Sequence, residues 1–83
     1  MSKLILEKVQ AETIRRAAYP RAFTWRHRRY RVVQSGGSWT RTGRWWRGEG
    51  DRQFVRVLTD RNVVADLCFD PRQRSWLMYQ VYD

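Results

Sequence analysis

Fifteen of the seventeen basic side chains are arginine, and they gather beside aromatic rings. Arg26, Arg28, Arg29 and Arg31 interleave with Trp25 and Tyr30. Arg41, Arg44 and Arg47 bracket Trp45 and Trp46, and Arg72 and Arg74 precede Trp76. This is the chemistry of recognition. A guanidinium presents a planar fork to phosphate and stacks on bases or rings, while an exposed indole can stack a nucleobase, as single-stranded nucleic-acid sites do. Codon usage in a GC-rich genome also raises Arg over Lys, but it leaves the net charge of +9 unexplained. A charge of that size speaks to polyanionic partners.

Bond-making chemistry has little to stand on. The one imidazole, His27, lies between two strand-like runs, where a residue tolerant of positive φ is wanted; His is among the few non-glycine types that serve. The one thiol, Cys68, sits in an alternating Val-Asp-Cys pattern and reads as a small half-buried hydrophobe. With one His and one Cys a structural zinc site lacks ligands. The eight carboxylates show no calcium-loop spacing. Gly36-Gly37 lacks the Lys-Ser/Thr of a phosphate cradle, and Gly48-Glu49-Gly50 places a negative charge where phosphate would approach. The expectation is therefore no enzyme, no cofactor and no metal.

The elements that must position these arginines are strands. With 83 residues the chain has room for one domain, expected to span 1–83. Leu, Ile, Val and Phe make up only 18 residues, so the twelve aromatics must supply much of the core. No apolar run is long enough to span a membrane, and a cytoplasmic location is the default expectation. Phe23 and Trp25, then Tyr30 and Val32, alternate with polar or small residues. His27 and Arg28 link the two runs as a tight hairpin. Ser35-Gly36-Gly37-Ser38 reads as a break, Trp39–Trp46 as a second aromatic segment, and 53–59, 63–69 and 75–82 as a meander with turns at Asp60-Arg61-Asn62 and Asp70–Gln73. Both faces of these strands carry apolar residues. The pattern predicts an all-β domain, a small strongly curved antiparallel sheet or barrel of five or six strands with minor helix at most. Residues 20–83 form its core. The first eighteen residues are more open: a strand at about 4–9, with 10–18 continuing it or turning.

The blocks Phe23-Thr-Trp-Arg-His-Arg-Arg-Tyr-Arg-Val32, Gly43-Arg-Trp-Trp-Arg-Gly-Glu-Gly50 and Trp76-Leu-Met-Tyr-Gln-Val-Tyr-Asp83 resemble a family of small bacterial proteins of unknown function. The resemblance covers roughly residues 20–83. The layout is also similar to the C-terminal module of the catalytically inactive Y-family polymerase homologue of bacterial mutasomes. That likeness implies a role near error-prone or lesion-bypass DNA synthesis and brings no activity with it. One departure is His27, where the family pattern prefers Gly.

Strand alternation requires Arg29 and Arg31 to share a face opposite Tyr30 and Val32, ~7 Å apart. In the Trp45-Trp46 pair one ring can be core while its neighbour points out. The expected contact surface is thus Arg26, Arg28, Arg29, Arg31, Arg44 and Arg47 with Trp45 or Trp46. Its expected partner is nucleic acid, single-stranded DNA favoured. The alternative is a protein-docking adaptor whose Arg/Trp surface binds a partner such as a DNA-repair polymerase subunit. Trp25, Tyr30 and Trp76 are expected in the core.

Overall fold

The alternation that begins at Phe23 resolves into antiparallel strands in a computed structural model, which describes residues 2–14, 19–41 and 52–82. The strands are β1 (Ser2–Glu12), β2 (Ala22–Trp25), β3 (Arg28–Arg41), β4 (Arg52–Thr59), β5 (Val64–Asp70) and β6 (Ser75–Tyr82), with no helix among the described residues. Neighbours in sequence pair in space, and β6 returns to pair with β1, so the sheet closes into a ring. Closure removes the edges that a flat six-stranded sheet would expose. The ring is uneven. β1 meets β2 at three positions, Gln10–Glu12 against Ala22–Thr24, whereas β3 follows β4 from Val32↔Thr59 to Arg41↔Arg52.

Its interior is filled by Val9, Phe23, Tyr30, Val55, Val57, Ala65, Leu67 and Met78. Phe23 and Tyr30 face each other across β2 and β3 and stack at 5.3 Å. Trp25 tilts against Tyr30 at 6.2 Å, and both Trp25 and Trp76 pack on the core while staying partly exposed. The interior is thus mainly aliphatic, with Phe23 and Tyr30 as its two rings and Trp25 and Trp76 packed at its margin.

One open expectation is settled and two shift. First, of the two courses open after residue 9, β1 takes the continuing one as far as Glu12, because Ala11 and Glu12 find partners in Phe23 and Ala22. An irregularity between Leu4 and Glu7, with Leu6 at φ +58°, lets this long strand serve β6 and β2 in turn. Second, the β2–β3 link is Arg26-His27 rather than His27-Arg28: Trp25 pairs with Arg28, and Arg26 and His27 have φ of +52° and +66°. Two left-handed residues make the type I′ turn whose twist matches the flanking strands. Third, Ser35-Gly36-Gly37-Ser38 is no break. It lies inside the fourteen-residue β3, because β4 pairs with it on both sides of an irregularity at Gly36.

Irregularities between Val32 and Gln34 and between Ser35 and Gly37 each add one residue to β3. Two additions restore the alternation. Tyr30, Val32, Ser35 and Ser38 therefore stay on the inner side, while Arg29, Arg31, Gln34, Gly37, Trp39 and Arg41 all occupy the outward one.

The exposed His27 has the backbone of a glycine position. His27→Gly relieves the Cβ penalty but adds entropy to the unfolded chain, two effects of similar size. Stability by chemical denaturation should stay within about 1 kcal/mol of the parent, on the stabilising side if strain dominates. A larger loss would reveal a structural partner for the imidazole.

Candidate nucleic-acid interface

The hairpin brings the first arginine cluster into view but divides it. Arg29 and Arg31 lie outward, across from Thr24 and Ala22. Arg28 pairs with Trp25 on the other face, at the rim beyond the core, and Arg26 is in the turn. Arg26 lays its guanidinium 4.5 Å over the Trp25 ring and donates to Glu7 Oε2 at 2.7 Å and Oε1 at 3.1 Å. Trp25 Nε1 donates to the same Oε1 at 2.9 Å. Arg26, with help from Trp25, holds the Glu7 carboxyl below the usual carboxylate range. Arg29 forks onto Glu12 at 2.7 and 2.9 Å, with the same effect on Glu12.

Arg28 and Arg31 are exposed, and neither side chain has a carboxylate partner among the described residues. Arg61 joins them from the β4–β5 turn, donating Nε to the Arg29 carbonyl at 3.2 Å and lying 5.7 Å over the Tyr30 ring. Asp60 beside it accepts from the Arg31 amide at 3.1 Å. Six arginines (21, 26, 28, 29, 31 and 61) thus surround three carboxylates, Glu7, Glu12 and Asp60. The hairpin end keeps a positive excess, centred on Arg28 and Arg31. Arg44, Arg47, Trp45 and Trp46 lie outside the described residues.

A second cluster, on the outward face of β3–β6, escaped the sequence reading. Trp39 stacks on Phe54 at 5.5 Å with the rings 6° from parallel. Arg41 lies 5.6 Å over Phe54, Arg56 lies 5.5 Å from Trp39 and 4.7 Å from Tyr82, and Tyr79 meets Phe54 edge-on. Cations and rings follow in the order Arg41, Phe54, Trp39, Arg56 and Tyr82, with the two stacked rings between the arginines. Beneath them Asp66, 1% exposed, accepts from Arg56 Nε at 2.8 Å, Arg56 Nη2 at 3.3 Å, the Tyr82 hydroxyl at 2.6 Å and Gln80 Nε2 at 3.4 Å.

Register explains the convergence: Arg56 faces Asp66, Asp66 faces Gln80, and Tyr82 folds back over both. A Cβ on Gly36 would meet the Arg56 side chain at 3.4 Å, an ordinary van der Waals contact. Cys68, across from Phe54, is buried, with its Sγ 3.8 Å from the Phe69 carbonyl. Two signals in the sequence pointed here: a glycine pair two residues before a tryptophan, and an Asp amid the apolar run Val63–Phe69.

The neighbouring Asp66 carboxylate, then burial, push the Tyr82 phenol above its ordinary value. A folded pKa raised above the unfolded one contributes stability that is whole below the unfolded value, about 10. That contribution is lost as pH rises through the folded value. Tyr82→Phe should therefore flatten the alkaline arm of the stability–pH curve relative to the parent. An unchanged difference between the two from neutral to strongly alkaline pH would count against the Asp66–Tyr82 bond.

Fold and surface together define a class: a small closed antiparallel β domain with a mainly aliphatic interior, a cationic hairpin and an arginine–aromatic outer face. Within that class, the chain belongs to the DUF6504 family, a domain of unknown function whose model matches residues 2–83. No curated protein and no solved structure matches it.

Proposed function

We infer that this protein is a non-catalytic nucleic-acid-binding module whose contact surface is centred on the β2–β3 hairpin. The observation that carries the reading is the pair Arg28 and Arg31: exposed, on ordered strand, and left over after Glu7 and Glu12 have taken Arg26 and Arg29. Arginine so placed meets phosphate without first giving up an ion pair. The likeness to the mutasome module supports a setting in DNA repair or error-prone synthesis, with single-stranded DNA as the favoured ligand. Arg44, Arg47 and the Trp45-Trp46 pair, also expected at the contact, lie outside the described residues.

Arg28 and Arg31 are the residues to change. An Arg29 variant would also strand Glu12, so its effect on binding would mix with an effect on the sheet. In fluorescence polarisation with labelled oligonucleotides over a salt series, log affinity should fall by roughly 0.7 per phosphate contact on a single strand. Arg28→Glu with Arg31→Glu should cost at least about tenfold at low salt and reduce the slope by roughly one to two. No binding by the parent at low salt would overturn the reading and favour a protein-docking adaptor, whose affinity would depend far less on salt.

A further inference from the structure

We propose that the outward face of β3, from Arg31 to Arg41, is a track for single-stranded nucleic acid, with Trp39 and Arg56 as its base-stacking station. This rests on the nucleic-acid reading and assigns it a path and a strand preference. Because the two irregularities in β3 cancel, Arg31, Gln34, Gly37, Trp39 and Arg41 fall on one side of one strand. At ~3.3 Å per residue, less the two inserted residues, Arg31 and Arg41 stand ~26 Å apart.

Between them the strand is nearly bare. Gln34, Gly36, Gly37 and Ser38 are exposed, and a Cβ on Gly37 would meet nothing within 4 Å. Glycine inside a strand marks a bulge or a place where another chain or ligand approaches closely; Gly37, at φ +120° beside the Ser35–Gly37 irregularity, serves the bulge and also leaves the outer surface open. At the far end the chemistry changes from charge alone to charge on rings. Trp39 is partly exposed, and Arg56 keeps 44% of its side chain in solvent beside it although its guanidinium is anchored to Asp66. A guanidinium fixed by a buried carboxylate and an indole fixed on Phe54 form a pre-set surface, so little side-chain entropy is lost when a base arrives. Arg41 beyond them, exposed and lying over Phe54, supplies the next phosphate contact.

The ligand follows from this layout. A duplex keeps its bases stacked on one another and offers the track only phosphates. An unpaired strand can lay a base face on Trp39 and Arg56 while its backbone runs between Arg31 and Arg41.

The test compares a labelled thymidine strand of about 12 nucleotides, within the ~4–16 range of small β-barrel sites, with a duplex of the same length. Binding is read by fluorescence polarisation at about 50 mM salt, where phosphate contacts are strong. Trp39→Leu, which retains apolar contact with Phe54, should weaken the single strand by about fivefold or more, the lower end of one base–aromatic stack. Its duplex affinity should stay within about twofold, a margin below one stack. Arg41→Glu, at an exposed position over Phe54, should also weaken the single strand, and the thermal midpoint of both variants, read alongside, separates lost binding from lost fold.

If the parent binds, and Arg28→Glu with Arg31→Glu abolishes binding while Trp39→Leu and Arg41→Glu leave the single strand unchanged, the track is wrong and the hairpin reading stands. Equal losses on single strand and duplex would overturn the stacking station. A parent that binds neither oligonucleotide would overturn both.

Discussion

Arg56→Met should destabilise the domain by about 2–3 kcal/mol at neutral pH, more than Asp66→Asn, although Arg56 is the more exposed partner. The asymmetry comes from burial. Asp66 keeps 2% of its side chain in solvent and Arg56 44%. Removing the arginine leaves a carboxylate out of water with only Tyr82 and Gln80 to bond it. Breaking a buried pair in this way is costlier than the pair is worth, because the remaining charge has nowhere to go. Removing the charge of Asp66 instead leaves a guanidinium that water already reaches. An Asn there can still accept from Tyr82, so its cost should be about 1 kcal/mol.

Chemical denaturation of both variants checks the order. A larger loss from Asp66→Asn than from Arg56→Met would show that Asp66 is not the buried anchor.

Phe54→Ala should cost about 3–5 kcal/mol, the range for deleting a fully buried aromatic ring. Phe23→Ala should cost a similar amount. The parity is informative because the two rings lie on opposite faces of the sheet. Phe23 belongs to the interior with Tyr30, whereas Phe54 projects outward from between Gln53 and the inward Val55, yet is 1% exposed. Its ring is covered by Trp39, Tyr79 and the Arg41 side chain. A domain of this size has roughly 4–12 kcal/mol of stability in total. Either variant should therefore move the thermal midpoint by tens of degrees or abolish the cooperative transition. A loss below about 1 kcal/mol for Phe54→Ala, typical of a surface position, would mean that the outward face is only a solvated coat and that Trp39 lacks its support.

The sequence by itself determined the local matters. Among the described residues, alternation at 23–32 and 53–82 specified strands, and turn chemistry at Asp60–Asn62 and Asp70–Gln73 placed the later corners. Asp70 Oδ1 accepts from the Arg72 amide at 2.9 Å, and Thr59 Oγ1 accepts from Arg61 and Val63. The shared face of Arg29 and Arg31 opposite Tyr30 also follows from period two alone. These features depend on residues close in the chain, so their composition and spacing reveal them.

What the tertiary structure decided depends on contacts between distant positions. Glu7 and Glu12 claim Arg26 and Arg29 across separations of 19 and 17 residues, and no property of the arginine cluster itself indicates which members will be neutralised. The same holds for the outer face. Tyr82 reaches Arg56 over 26 residues, and only ring closure and register bring β3, β4, β5 and β6 into a common surface. Ser35–Ser38 is a turn by composition and a strand by context, because hydrogen bonds to β4 outweigh the weak intrinsic preference of glycine and serine. Periodicity states which side a residue faces. Which of those sides is buried, paired or open is set by the neighbour that the closed sheet delivers to it.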